Sequence, residues 1–169
     1  MSNLAYGINS LVIADINPAD GSAQNPTEFI NNVYRNTIEI NEPEETETDH
    51  YVEGSRDPLL VVGQAGKTIV NAMLVNLAAT QRLVLQGGAV ATVDSKDQWT
   101  PDDDNVNIEK HVTAVTEDGH TIVFPRVKVK GRFTGNITES ELLKIAAKMT
   151  VLKPQFAGLK SIMVTYPAP

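Results

Sequence analysis

Residues 111–133 read HVTAVTEDGHTIVFPRVKVKGRF, and the pattern of this stretch governs the fold. Asp118-Gly119 stands between two runs in which Val, Thr and Ile alternate. Glycine supplies the positive φ that a tight two-residue turn needs, so the segment predicts a long β-hairpin. Beyond Pro125 the alternation puts Arg126, Lys128, Lys130 and Arg132 on one face and Val127, Val129 and Phe133 on the other, because successive side chains of a strand point to opposite sides. One face can be buried; the other is basic.

Working outward, the same alternation returns at Leu143, Ile145, Ala147, Met149 and Val151, with Lys144, Lys148 and Thr150 opposite. This strand can pair with the preceding one across a turn near Gly135-Asn136-Ile137. Asn9 to Ile16 reads as a first strand, ended by Asn17-Pro18 and the cluster Ala19-Asp20-Gly21-Ser22, and Asn32 to Ile40 as a second. One helix of about two turns is predicted from Ala78 to Gln86. Asn76 is its candidate cap, Leu77, Leu83 and Val84 suit one face, and Gly87-Gly88 stops it. No fixed-period repeat or low-complexity tract divides the 169 residues, so a mainly β single domain over 1–169 is expected.

Composition narrows the function classes. There is no cysteine, which excludes disulfides, thiolate metal sites and cysteine nucleophiles. No apolar run approaches the length of a membrane helix, and the first residues lack the basic start and apolar core of a secretory signal, so synthesis and folding in the cytosol are expected. The net charge of −7 disfavours generic binding to phosphate backbones unless positive charge is segregated. It is segregated: residues 1–58 carry eleven Asp or Glu against Arg35 and Arg56, and residues 124–160 carry eight Lys or Arg against Glu139 and Glu141. Such polarity suits an acidic partner for the basic end, or self-complementarity between copies.

The acidic end concentrates in residues 42–58, EPEETETDHYVEGSRDP, with seven carboxylates, two prolines and one glycine. This run cannot bury itself and reads as a long solvated loop or a flexible hairpin. Its residues Glu42, Glu44, Glu45, Glu47 and Asp49, together with Arg126, Lys128, Lys130 and Arg132, are the candidate inter-subunit contacts. A solvated or salt-bridged surface is the alternative for the basic four. A nucleic-acid sheet surface would interleave aromatics for stacking, and only Phe124 and Phe133 are near, with Phe133 on the opposite face.

Other motifs are weaker. LVVGQAGKT at 60–68 ends like a phosphate-binding loop, but Val61 stands where that loop needs its first glycine. The β-branched start of TIVNAMLV suits a following strand better than a helix. Val90-Ala91-Thr92-Val93-Asp94 resembles a second nucleotide element only as common pentapeptides do. Asp102-Asp103-Asp104-Asn105 suggests calcium, yet Val106 and Asn107 fall where an EF-hand needs a ligand and a glycine. His50, His111 and His120 show no zinc spacing, and no serine lies in a nucleophile elbow. No catalytic residue, cofactor or metal site is expected.

The order of segments is similar to that of tail tube proteins of long-tailed (siphovirus-like) bacteriophages and prophages, which share a fold with type VI secretion tube proteins. The resemblance rests on Gly7-Ile8-Asn9-Ser10-Leu11, GKTIVNAMLVNLAATQRLVLQGG, NIEKHVTAVTEDGHTIVFPRVKVKGRF and the strand ending TVLKP. It implies a β-sandwich or barrel with one flanking helix, closing into hexameric rings through continuous sheets. The rings stack head to tail into a tube through which DNA passes without specific binding. Residues 42–58 occupy the place of the family loop that contacts the next ring, and the basic strands are its electrostatic partners. The resemblance also implies copies of itself and other tail proteins as partners, assembly in the host cytoplasm, and a final place in the virion tail. An acidic lumen would repel DNA phosphates. Residues 161–169, which end in prolines, are a candidate C-terminal arm. Another ring-forming virion or injection-system component, such as a tail terminator or baseplate part, is the alternative, and a nucleotide-binding protein the third.

Overall fold

The hairpin read from 111–133 is the centre of the molecule. A computed structural model describes residues 6–102, 106–139 and 141–167. In chain order the strands are β1 Ser10–Ile16, β2 Ala23–Glu28, β3 Glu39–Asn41, β4 Thr46–His50, β5 Leu60–Gln64 and β6 Ile69–Leu74. The helix α1, Ala79–Gln86, follows, then β7 Ala89–Val93, β8 Lys96–Thr100, β9 Ile108–Val115, β10 Thr121–Thr134, β11 Lys144–Val151 and β12 Met163–Thr165. With 48% of residues in strands and 7% in helix the chain is mainly β, in several sheets of which none closes into a barrel.

The main sheet has the order β2-β1-β9-β10-β11-β6-β3. β10 is its spine. One edge pairs with β9 along most of its length; the other pairs with β11 from Val127 to Thr134 and with β12 from Thr121 to Val123. A bulge between Phe124 and Val127 places one extra residue on β10. Pro125 sits in this bulge, where the missing N–H disrupts no ladder bond.

The predicted alternation carries the core. Leu11, Ile13, Val112, Ala114, Phe124, Val127, Val129, Ala147, Met149, Val70, Ala72 and Leu74 are buried together, one set of alternating positions from five neighbouring strands. Leu85 of α1 is fully buried in this cluster. Burying side chains of this size contributes roughly 1.5–3 kcal/mol each. Phe133 shares the parity of Val129 but lies at the far end of β10, 45% exposed. There it meets Trp99 edge-on, with ring centroids 6.3 Å apart, and the Arg82 guanidinium 5.1 Å from its ring.

The opposite face is covered near the bulge. Pro154, Phe156 and Leu159 face Ile16 and Pro125 there. Gly21, at φ +77°, comes so near Phe156 and Leu159 that a Cβ would collide with both. Ala14 and His111, paired across β1 and β9, are buried on this second face.

Several expectations are corrected. Asn32–Ile40 is not a strand: Ile30–Asn32 is a 3-10 turn, Val33 makes a single bridge to Leu74, and regular pairing starts only at Glu39. Asn32 Nδ2 donates to the carbonyls of Val75 and Asn76 at 3.0 and 2.8 Å, and Asn36 takes φ +59°, so polar side chains and a left-handed residue break the extended run. Asn76 does not cap α1. It lies at φ +52°, and Gln81 Oε1 instead accepts the Ala78 N–H at 3.0 Å. The C-terminal stretch is not wholly an arm, since Met163–Thr165 pair with β10 and Tyr166 packs edge-on against His120.

Candidate assembly interface

Within the 42–58 segment, Thr46–His50 is strand. Thr46–His50 pairs with Leu60–Gln64 in a separate two-stranded sheet, with residues 51–59 as its loop; Glu42 and Glu44 precede β4 in exposed irregular chain. Every residue of β4 and β5 is exposed. This hairpin therefore stands off the core with both faces open, and it carries Leu59, Leu60, Val61 and Val62 at 72, 56, 46 and 46% exposure.

Alternation sorts its side chains by chemistry. Thr46, Thr48 and His50 oppose Gln64, Val62 and Leu60 on one face; Glu47 and Asp49 oppose Gly63 and Val61 on the other. The Glu45 carboxylate lies over Gly63, in the space that a Cβ there would fill. Tyr51 Oη donates to Asp49 Oδ2 at 3.1 Å. Glu45, Glu47 and Asp49 thus form an acidic ladder on one side of the hairpin.

The basic residues divide. Lys128, Lys130 and Arg132 are exposed on the face opposite the core, but Arg126 is a structural clamp. Its Nε and Nη2 donate to the two oxygens of Glu109 at 2.7 and 2.8 Å, and its Nη1 donates to the Lys153 carbonyl at 3.1 Å. The Arg126 hydrogen bonds hold the Glu109 carboxyl below the usual glutamate range. Arg126 therefore belongs with the salt-bridged alternative rather than with the free stripe.

Lys148, outside the sequence-derived candidates, takes its place. It lies directly opposite Lys130 across β10 and β11, and Asn71 is its neighbour on β6. Like charges so paired are destabilising without a counter-charge. Among the described residues Lys128, Lys130, Arg132 and Lys148 make no ion pair, with the hairpin carboxylates or any others. An open groove of about 870 Å³ runs past Lys130, Arg132, Lys148 and Asn71 to the wall formed by Asn36 and Glu39. The parity of 144–151 already marks Lys148 as basic-face; its partner across the sheet requires the register.

The remaining motifs resolve as structure. Residues 60–68 run from β5 into β6 with no helix behind Lys67-Thr68, and the Thr68 carbonyl accepts the Val151 N–H at 2.9 Å. Ala89–Val93 is one arm of a hairpin whose turn, Asp94-Ser95, has positive φ at both residues. Of the calcium candidates, Asp102 Oδ2 accepts the Gly88 N–H at 2.8 Å, while Asp103, Asp104 and Asn105 lie outside the described residues. Among the described residues no group of three His, Cys, Asp or Glu side chains is placed to hold a metal ion, and no helix is long and apolar enough to cross a membrane. His120 is buried with Nδ1 2.6 Å from Asp118 Oδ2, and Asp118 also accepts the Thr116 hydroxyl, which with His120 holds its carboxyl low.

No protein-family model matches the chain, and no curated protein matches it.

Proposed function

We propose that this chain is a structural subunit that assembles with copies of itself into rings, hexameric by family resemblance, which stack into a phage tail tube serving as a conduit for DNA. The observation that carries the reading is the β4–β5 hairpin, exposed on both faces and bearing Leu59–Val62 in the open. A two-stranded hairpin alone in water is marginally stable, so one with this apolar content calls for a neighbouring molecule to cover it. The mainly β fold with one short helix and unclosed sheet edges is compatible with lateral association. The opposed acidic and basic surfaces favour contacts between copies.

Sedimentation velocity at low salt and rising concentration tests this directly. The reading predicts a discrete oligomer that gives way to larger species; a protein that stays monomeric throughout contradicts it. Rings that never lengthen would point to a terminator or baseplate role.

A further inference from the structure

One row of side chains crosses the face of the main sheet that lies opposite the core. Lys130 on β10 pairs with Lys148 on β11, Lys148 with Asn71 on β6, and Asn71 with Glu39 on β3. Side chains paired in this way stand about 4.5–5.5 Å apart at Cβ. Arg132 follows Lys130 on the same face, two residues or about 6.8 Å along β10. Lys130, Lys148 and Arg132 thus set three cations at adjoining positions in the open groove of about 870 Å³. Among the described residues none of the three has an ion-pair partner. Glu39, the carboxylate that lines the groove, sits two strands from Lys148. Lys128 differs from these three: it lies outside the groove lining and is paired across β9 and β10 with Glu109, which gives it an acid alongside.

We infer that this groove is a binding site for a compact, multiply charged oxyanion of the polyphosphate class, held by Lys130, Lys148 and Arg132 with the Asn71 amide beside them. Like charges set opposite each other destabilise a sheet, and an anion between them replaces one repulsion with two attractions. The Arg132 guanidinium offers phosphate oxygens a planar fork of donors, and the lysines act as point charges. The Asn71 amide adds neutral donors. A monovalent anion would neutralise one of the three cations, whereas a short chain of phosphates reaches all of them. Glu39 bounds the site on the β3 side, because its carboxylate repels the same anion. A long nucleic acid suits the groove less well. The net charge of −7 repels an extended polyanion, and Tyr34, two residues before the groove-lining Asn36, has its ring covered by the Lys144 ammonium at 4.0 Å rather than free for base stacking. The inference does not depend on the self-assembly reading, since the groove is open in the single chain.

Calorimetric titration of the dilute full chain with sodium tripolyphosphate, at fixed ionic strength, tests the site. The expected result is saturable binding of one anion per chain, weakened at least roughly fivefold by Lys130→Gln and by Lys148→Gln. Lys128→Gln removes the same charge just outside the groove and should weaken binding less than about twofold. Lys67→Gln, in the stretch that ends like a phosphate-binding loop, should leave it unchanged. All four lysines are exposed, and circular dichroism with thermal melting verifies that each variant folds. Binding to the folded chain should also raise its melting temperature above that in sodium chloride of equal ionic strength. The site is overturned if no saturable binding appears, if Lys128→Gln weakens binding as much as Lys130→Gln and Lys148→Gln do, or if Lys67→Gln abolishes it. A short single-stranded oligonucleotide that binds more tightly than tripolyphosphate would also overturn the assignment to a compact anion. Adenosine triphosphate separates two sources of such a chain. Affinity no higher than that of tripolyphosphate assigns the groove to the free anion, and higher affinity to the phosphate tail of a nucleotide; both support the groove as the site. Should a groove variant unfold, the melting comparison on the unaltered chain still decides, since no rise beyond chloride overturns the site.

Discussion

His111 is buried on the second face of the sheet with Nδ1 unpaired, and burial pushes its imidazole below the usual histidine range. The folded protein therefore resists a proton that the unfolded chain accepts, and stability falls as pH drops below about 6.5. His111→Leu should flatten that loss, seen as urea midpoints that differ less between about pH 7.5 and about pH 5.5 than in the unaltered chain. Asp15, Glu109 and Asp118 act at lower pH. Hydrogen bonds from Lys110, Arg126 and Thr116, respectively, lower their folded values, so their contribution is present above the ordinary carboxylate range and lost as pH falls through the folded values. Arg126 and Lys128 make a second residue-scale contrast. Arg126→Ala should cost about 1–2 kcal/mol in urea denaturation, because it removes two bonds to Glu109 and one to Lys153, whereas Lys128→Ala should stay within about 0.5 kcal/mol. Alternation places both side chains on one face but says nothing of Glu109, which the β9–β10 register brings alongside.

Among the elements, the β9–β10 hairpin was the most legible, since turn chemistry and alternation agree at Asp118-Gly119. The pairing of β10 with β11 followed from the same parity. Asn32–Ile40 was misread because Asn32 and Asn36 satisfy backbone groups or adopt left-handed φ in ways that apolar periodicity does not register. In α1 the stop at Gly87 was readable, at φ +70° with its N–H bonded to Leu83 O, but the fully buried position is Leu85 rather than Leu83. Phe124→Ala should cost about 3–5 kcal/mol and Leu85→Ala about 2–5 kcal/mol, read from denaturant midpoints, because both side chains are fully buried. The acidic run was readable as exposed, whereas its pairing with Leu60–Gln64 was not, since neither strand has a core to mark its face. Hydrogen exchange should find the amides of β4 and β5 weakly protected in dilute protein and more than about tenfold better protected at concentrations that drive assembly. Equal exchange under both conditions would detach the hairpin from any interface.

At the scale of the whole molecule, the sequence disclosed its charge polarity but not its geometry. The three-dimensional arrangement separates a solvated acidic hairpin from a basic sheet face, and among the described residues no ion pair joins the two. It also leaves the main sheet open, with β2 and β3 as its outer strands. The central claim, proposed above, is that the chain completes its contacts among copies of itself. Electron microscopy of negatively stained protein, across a range of concentration and salt, tests it most directly. The account predicts rings with a central hole at low salt and hollow tubes as concentration rises, with the tubes dissolving as salt is added. Uniform small particles at every concentration and salt would contradict it.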